Sequence, residues 1–452
     1  MNGLRTLRSA LRGPVLLDGD PGFDAARRPW NRAVGQPVAA VARPVDADDA
    51  AAAVRHARST GLTLAAQASG HGATGDVDGV VLLRTGALDG LSVDPVARTA
   101  RVGAGVSWGR VQAAAAEHGL TGLAGSSPVV SVTGYTLGGG LSWFGRAHGW
   151  AADSVLAFEV VDADGVRSRV TADSDPDLFW ALRGGGGDVA LVTEVEFRLH
   201  PAPELYGGRM LWPIDRAPEV VDAFRRVTAA APDRLTVWLD LLRPPGRPAC
   251  AAVLAAHLGP AAEARALLRP FDAVSGRLSD DRRALSPADL GAVGAEPTAP
   301  GAGVSRGVPL TGLDDAAAVL LAEGPPAPLL RAQVRHLGGA LAGPSDTPYG
   351  PLAAPYGLHL LGVPAGPGSA AAVRAAQAAV VRGLGPAAAG RTPPTWLGPG
   401  ESAADAYAPE ALDRLRALKR SRDPRGVFRG NFPLFGRPAT GPAARAAVPV
   451  RA

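Results

Sequence analysis

The chain has 452 residues, 46% hydrophobic and 19% charged, which describes a globular polypeptide too long for one compact core and suited to two or three domains. Its 46 basic and 42 acidic residues leave a formal net charge of +4 with no block of like charge, which argues against a nucleic-acid partner. The single cysteine, Cys250, rules out an internal disulfide and a cysteine metal cluster, and no metal site is expected.

Residues 1–35 read as a short helix and an irregular arm carrying Trp30 and Asn31, which are expected to pack on the domain that follows. A short strand starts at Ala39. The acids Asp46, Asp48 and Asp49 open a helix over 50–60, closed by Gly61. A strand at 62–66 then runs into Ala68-Ser69-Gly70-His71-Gly72. A strand–helix–strand unit that delivers a glycine loop at a strand's end is where α/β proteins place ligands. Strands follow at 79–84, 91–94 and 99–103. A helix at 107–117 sets Trp108, Val111 and Ala115 on one face. A second small-residue segment runs from Gly125 to Gly140. Strands at 155–162 and 166–170 form a hairpin around Asp164-Gly165. A helical turn at 177–183, four glycines at 184–187 and a strand at 190–199 complete this half.

From Tyr206 the pattern changes to an α+β domain with an antiparallel sheet. Strands are expected at 209–212, 235–239, 331–338 and 357–363, and helices at 220–230, 260–268, 370–383 and 409–419. Residues 270–330 are rich in proline and glycine and resist assignment. The expected organisation is an arm (1–35), a first domain (36–205), a second (206–395), a C-terminal segment returning to the first (396–435) and a flexible tail (436–452). The N-terminus lacks the apolar core of a signal peptide and no run of eighteen apolar residues occurs. A cytoplasmic protein without a membrane partner, monomeric or homodimeric, is therefore expected.

Glycine tolerates positive φ and lets backbone lie close to a ligand, and successive N–H groups in such turns form concave anion sites. Two such turns within strand-rich sequence suggest a bound diphosphate. A nicotinamide-binding Rossmann domain is disfavoured, since no G-x-G-x-x-G follows the first strand with an acid about twenty residues on.

Four motifs occur in order: Ser69-Gly70-His71; Gly134-Tyr135-Thr136-Leu137-Gly138-Gly139-Gly140; Leu178-Phe179-Trp180-Ala181-Leu182-Arg183 with Gly184–Gly187; and Arg414, Lys419, Asp423-Pro424, Phe428 and Asn431. Together they resemble the vanillyl-alcohol-oxidase/PCMH superfamily of flavoproteins, above all its berberine-bridge-enzyme-like branch. The resemblance implies a PCMH-type two-subdomain FAD-binding fold with an inserted α+β substrate domain on an antiparallel sheet. It implies FAD, with His71 where the family's histidine bonds the flavin 8α-methyl. Ser127 stands where bicovalent members have cysteine, so one covalent bond is expected. Ser69, Gly70, Gly72 and Ala73 would meet the pyrophosphate. Ser131, Gly134, Thr136, Gly138, Gly139 and Gly140 would lie along the pyrophosphate and ribityl chain, and Asp153 would approach the flavin or ribityl region. Val192 would wrap the adenine, while Asn431 and Phe432 would return to the ring. Ser131, Thr133 and Asp188-Val189-Ala190 depart from the family pattern and tighten the cradle.

The implied activity is that of an FAD-dependent oxidase taking hydride from an alcohol, sugar or secondary metabolite. Val130, at a position where the family often has a small residue, favours O2 as acceptor. The alternatives are a dehydrogenase or deazaflavin-using enzyme of the same fold, or an inactive flavin- or ligand-binding scaffold. The base is open, because the family's usual tyrosine is missing from 394–398. Candidates are Tyr135, Tyr349, Tyr356, His148, His336 and His359, with Tyr135, His336 and Tyr356 foremost. Gln333 and Arg335 are expected on the pocket wall.

Overall fold

The computed structural model describes residues 2–366 and 368–436. Of the expected tail, residues 437–452 lie outside the described residues. Three sheets carry the fold, with a two-stranded ribbon beside them.

The first sheet has four strands. Ala40–Ala42, Val81–Arg84 and Leu64–Gln67 run parallel, and Val15–Leu17 adds an antiparallel edge. The helix Ala47–Thr60 supplies the crossover. Asp46 caps its start by accepting from the Asp49 N–H, and Gly61 ends it at φ 71°. The buried Asp49 carboxylate fixes the arm, accepting from the N–H groups of Arg12 (2.8 Å) and Gly13 (2.9 Å).

The second sheet is antiparallel and five-stranded, ordered Leu91–Asp94, Thr99–Gly103, Leu191–Arg198, Val155–Val161, Arg167–Val170. The hairpin about Asp164-Gly165 is present, with Gly165 at φ 79°. The helix expected at 107–117 spans Trp108–Ala116, and the helical turn at 177–183 spans Pro176–Leu182. One segment differs from expectation: Val132–Leu137, read as part of a glycine turn, is a short helix, and the sharp turn falls at Gly139 and Gly140 (φ 90° and 79°).

The third sheet has eight antiparallel strands. Its centre is Cys250–Leu258, Leu235–Leu242, Leu329–His336 and Tyr356–Gly362, with Val304–Leu310 at one edge. Cys250–Leu258 and Val304–Leu310 were not foreseen. The first is apolar from Cys250 to Ala256, with alanines that carry no strand preference, and the second contains Gly307 and Pro309. The period of two divides each strand between two environments. Val237, Leu239, Leu241, Val334, Leu358 and Leu360 face a core completed by helices Ala217–Ala230, Asp315–Ala322 and Ser369–Gly383. Trp238, Ala252, Leu254 and Ala256 face the other way and join the core of the five-stranded sheet. One side of the large sheet thus faces its own helices and the other the first half of the chain.

Two devices fix that approach. Trp143 stacks on Trp238 with centroids 3.6 Å apart and planes 15° apart. Arg146, buried in the short helix Gly145–His148, donates to the carbonyl oxygens of Leu235 (3.0 Å) and Ala231 (3.1 Å) and to that of Leu337. The C-terminal helix Pro409–Arg422 leads into a strap that reaches the first sheet, where Leu64 N–H donates to Val427 O (2.7 Å) and Arg429 N–H to Leu64 O (2.8 Å). Among the described residues no helix is long and apolar enough to cross a membrane.

Candidate cofactor and substrate site

A cavity of about 460 Å³ lies where the three sheets and the C-terminal strap meet, within the range of ligand pockets. Its two walls differ in kind. One is loop and helix end: 66–73, 125–138, 185–192 and 429–432. The other is the open face of the eight-stranded sheet with the segment beside it: Glu296, Ser305, Arg331, Arg335, His359 and 394–397.

The loop wall is built around His71. The strand Leu64–Gln67 ends in a turn at Gly70 (φ 80°), where a Cβ would meet Gln67 Oε1 at 2.7 Å and Pro29 Cβ at 2.9 Å. Arg84 holds that turn, donating to Gln67 Oε1 (2.7 Å) and to Ala26 O (2.9 Å). Trp30 from the arm stacks on the His71 ring at 4.2 Å and 18°. His71 Nδ1 shares a hydrogen bond with Ser69 Oγ (2.8 Å), and its buried Nε2 has no partner. Burial pulls the imidazole down to about 4, so the ring is neutral near pH 7. Asn431 closes the loop from the strap, donating to Gly72 O (2.6 Å) and accepting from Thr74 N–H (3.3 Å).

These features fit FAD. The N–H groups of Gly70, His71 and Gly72 find no acceptor among the described residues, as a diphosphate nest requires. His71 Nε2, Ser127 Oγ, Thr133 Oγ1 and Tyr135 OH are buried, lack partners and belong to residues lining the cavity. Arg331 Nε and His359 Nδ1 on the sheet wall are likewise unpartnered. Buried polar atoms are normally satisfied, so six orphans around one cavity point to a polar occupant.

Of the residues expected at the site, Ser69 to Ala73, Ser127, Val130, Ser131, Gly134, Gly138, Val192, Asn431 and Phe432 line the cavity, as does Tyr135. Thr136, Gly139 and Gly140 do not. The two glycines turn the chain where Cβ atoms would strike the Trp150 ring (3.2 Å) and the Tyr135 ring (2.4 Å), so their service is packing. Asp153 is also set apart: its oxygens accept from Trp150 N–H and Ser345 Oγ, both at 2.9 Å. His336 and Tyr356 lie on the helix side of the large sheet, where strand alternation turns them from the cavity. Tyr356 OH bonds Thr228 Oγ1 (2.7 Å), and the His336 ring lies 5.8 Å from that of Tyr356. Tyr349 donates to Arg391 O (2.7 Å), and His148 stacks on His200 at 4.0 Å; neither reaches the cavity.

Tyr135 and His359 are therefore the base candidates that reach it. Burial pushes the Tyr135 phenol above its ordinary value and keeps it protonated. Burial, aided by Arg335 and Arg331, pulls His359 well below its ordinary value and keeps it neutral. Arg335 lines the cavity, and Gln333 supports it by accepting from its Nε (2.7 Å). Glu296, Arg331 and Ser305 were not foreseen. Arg331 could have been read from the alternation Arg331, Gln333, Arg335 with Ala332 and Val334 between them. Glu296 lies in a stretch without periodicity, and nothing local marks it.

Residues 38–171 match the family described as "FAD binding domain". Among curated proteins, (R)-6-hydroxynicotine oxidase of Paenarthrobacter nicotinovorans is 32% identical over 238 residues, 52% of this chain and 51% of that protein. The chain thus spans about half the length of this curated relative. Among solved structures, 6-hydroxy-D-nicotine oxidase from Arthrobacter nicotinovorans superposes with TM-score 0.80 at 26% identity, covering 93% of this chain and 97% of that one. Physcomitrella patens BBE-like 1 gives TM-score 0.84 at 20% identity over 95% and 98%, a likeness of fold. Fold and cavity together define an FAD-binding protein of the PCMH type. Residues 38–171 carry the FAD-binding domain, and the fold around it is shared with the solved 6-hydroxy-D-nicotine oxidase.

Proposed function

We propose that the protein is an FAD-dependent oxidase that removes two electrons from a C–H bond of a small alcohol, sugar or secondary metabolite and passes them to O2. The observation that carries this is His71: a neutral imidazole, clamped by Trp30 and Ser69, with a free nitrogen beside a nest of unpaired N–H groups. The similarity to (R)-6-hydroxynicotine oxidase supports it.

Bound FAD supplies the two-electron acceptor, and the protein supplies orientation and proton handling. Gly70, His71 and Gly72 would hold the diphosphate through their N–H groups. His71 would carry the covalent link alone, since the Ser127 hydroxyl cannot act as a thiolate. Tyr135 OH, held protonated, would donate a hydrogen bond into the cavity. His359, neutral, would take the proton released from the substrate. Val130 lines the cavity on the loop wall and would leave room for O2.

Acid precipitation and intact mass test the cofactor assignment. The native protein should be yellow, heavier by one FAD, and keep its flavin in the precipitate. His71→Ala should release essentially all of it to the supernatant. Native protein that stays colourless after reconstitution with FAD would sink this reading. Substrate-dependent oxygen uptake over a panel of alcohols and sugars tests the acceptor; flavin bleached by substrate in air without oxygen uptake would favour a dehydrogenase.

A further inference from the structure

Four ionisable groups line or back the sheet wall, two basic and two acidic, and they are unequally paired. Arg331 pairs with Glu296 Oε1 at 3.2 Å. Burial would raise the Glu296 carboxyl, but Arg331 and Arg335 hold it below the ordinary range, so it stays ionised. Asp240, opposite Gln333 on the neighbouring strand, is pushed up by burial against the pull of Arg331, and its Oδ1 has no partner. It makes no ion pair with Arg335 among the described residues.

Arg335 is left over. It is 8% exposed and has no carboxylate within ion-pair distance among the described residues. Its Nε donates to Gln333 Oε1, and its terminal nitrogens hydrogen-bond to no described residue. The guanidinium lies 4.3 Å from the Trp238 ring centroid and 5.6 Å from that of Trp396. These contacts fix its plane and keep it from turning to solvent. Burial lowers it only to about 10, so it remains cationic. An unpaired charge in such a place is destabilising unless something arrives to pair with it.

We propose that Arg335, with Arg331 beside it on the same strand face, forms an anion subsite, and that the substrate is a small organic carboxylate held through its two oxygens. A guanidinium fork held by its Nε presents parallel donors that match a carboxylate and not a neutral amide. The inference rests on the oxidase reading and deepens it. Arg335 is a binding residue here, with no part in the electron transfer.

The test uses FAD-loaded protein titrated with benzoate, phenylacetate and acetate, and with the matching amides. Flavin absorbance and calorimetry give the readout. At least one carboxylate should bind roughly tenfold to a hundredfold more tightly than its amide, as charge-assisted hydrogen bonds predict. Arg335→Gln should erase that preference with flavin content unchanged, and Arg335→Lys should restore part of it. Thermal melts of both variants establish that they are folded. The proposal is overturned if acids and amides bind alike, if no acid binds, if Arg335→Gln keeps the preference, or if that variant loses its FAD, which would assign the charge to the cofactor. Colourless protein defeats the oxidase reading, whereas flavin-loaded protein indifferent to carboxylates defeats only this inference.

Discussion

The two walls of the cavity are held by opposite means. On the loop wall the atoms facing inward are mostly backbone and small side chains, placed by glycines at positive φ and by a strap from the C-terminus. On the sheet wall they are long charged side chains, placed by strand register, ring stacking and one half-buried ion pair. A backbone wall suits a ligand part common to many proteins, such as a diphosphate. A side-chain wall can be rewritten residue by residue without disturbing the strands beneath, and suits the part that differs. The expected division is cofactor on the first and substrate on the second.

The sharpest way to break that contrast is to cut the strap. Lys419 is buried and donates to Asp423 Oδ2 (2.7 Å), Phe428 O (2.8 Å) and Asp188 O. Asp423 in turn accepts from Val427 and Phe428 N–H, both at 2.8 Å, and Asp188 accepts from Gly430 (2.6 Å) and Leu434 (3.1 Å) N–H. Lys419→Met leaves two buried carboxylates without their cation and should cost about 3–5 kcal/mol in urea unfolding. Because the strap carries Asn431 to the histidine loop, this variant should also lose flavin. A variant that unfolds like the native protein and keeps its flavin would mean that the strap does not hold the loop wall.

A smaller effect is expected at Gly140. A Cβ there would lie 2.4 Å from the Tyr135 ring and 2.8 Å from Ala151 Cβ, at φ 79°. Gly140→Ala should destabilise by about 2–3 kcal/mol from strain and overpacking. If its cost is instead negligible, the turn is not what fixes Tyr135. Gly186, at φ 88° with open space about its absent Cβ, is the control: alanine there should cost only the backbone term, about 1 kcal/mol.

This difference in construction also explains what could be read from the sequence. The loop wall was legible because positive φ favours glycine, so Gly70, Gly184 and Gly186 print the turn geometry in the chain. Glycines required for packing look the same as glycines that touch a ligand, which is why Gly139 and Gly140 were expected at the cofactor. The sheet wall was legible only as far as alternation runs. Arg335 and Gln333 fell on the pocket side, while His336 and Tyr356 were expected at the cavity because residue type was weighed without strand phase. Glu296 reaches its arginine through tertiary contact alone, from a segment without period. The parallel strands and crossover at 40–84 were readable throughout, since caps at Asp46 and Gly61 mark the helix between them.

The packing around His200 gives an effect that neither wall should show, a dependence on pH. His200 stacks on His148 and bonds Ser154 Oγ through Nε2 (3.0 Å). Burial, with His148 and Arg198 adding to it, pulls His200 down to about 4 from an ordinary 6.5. Between these values the unfolded chain binds a proton that the folded one refuses. The His200 contribution is therefore intact above about pH 6.5, falls as the pH drops toward 4, and levels off below that. At pH 5 the loss should reach about 2 kcal/mol for this residue. His200→Gln removes the titration, so its urea midpoint should fall less than that of the native protein between pH 7 and pH 5. Equal falls would mean that His200 is protonated in the folded state, and its surroundings would then be wetter than the buried ring stack implies.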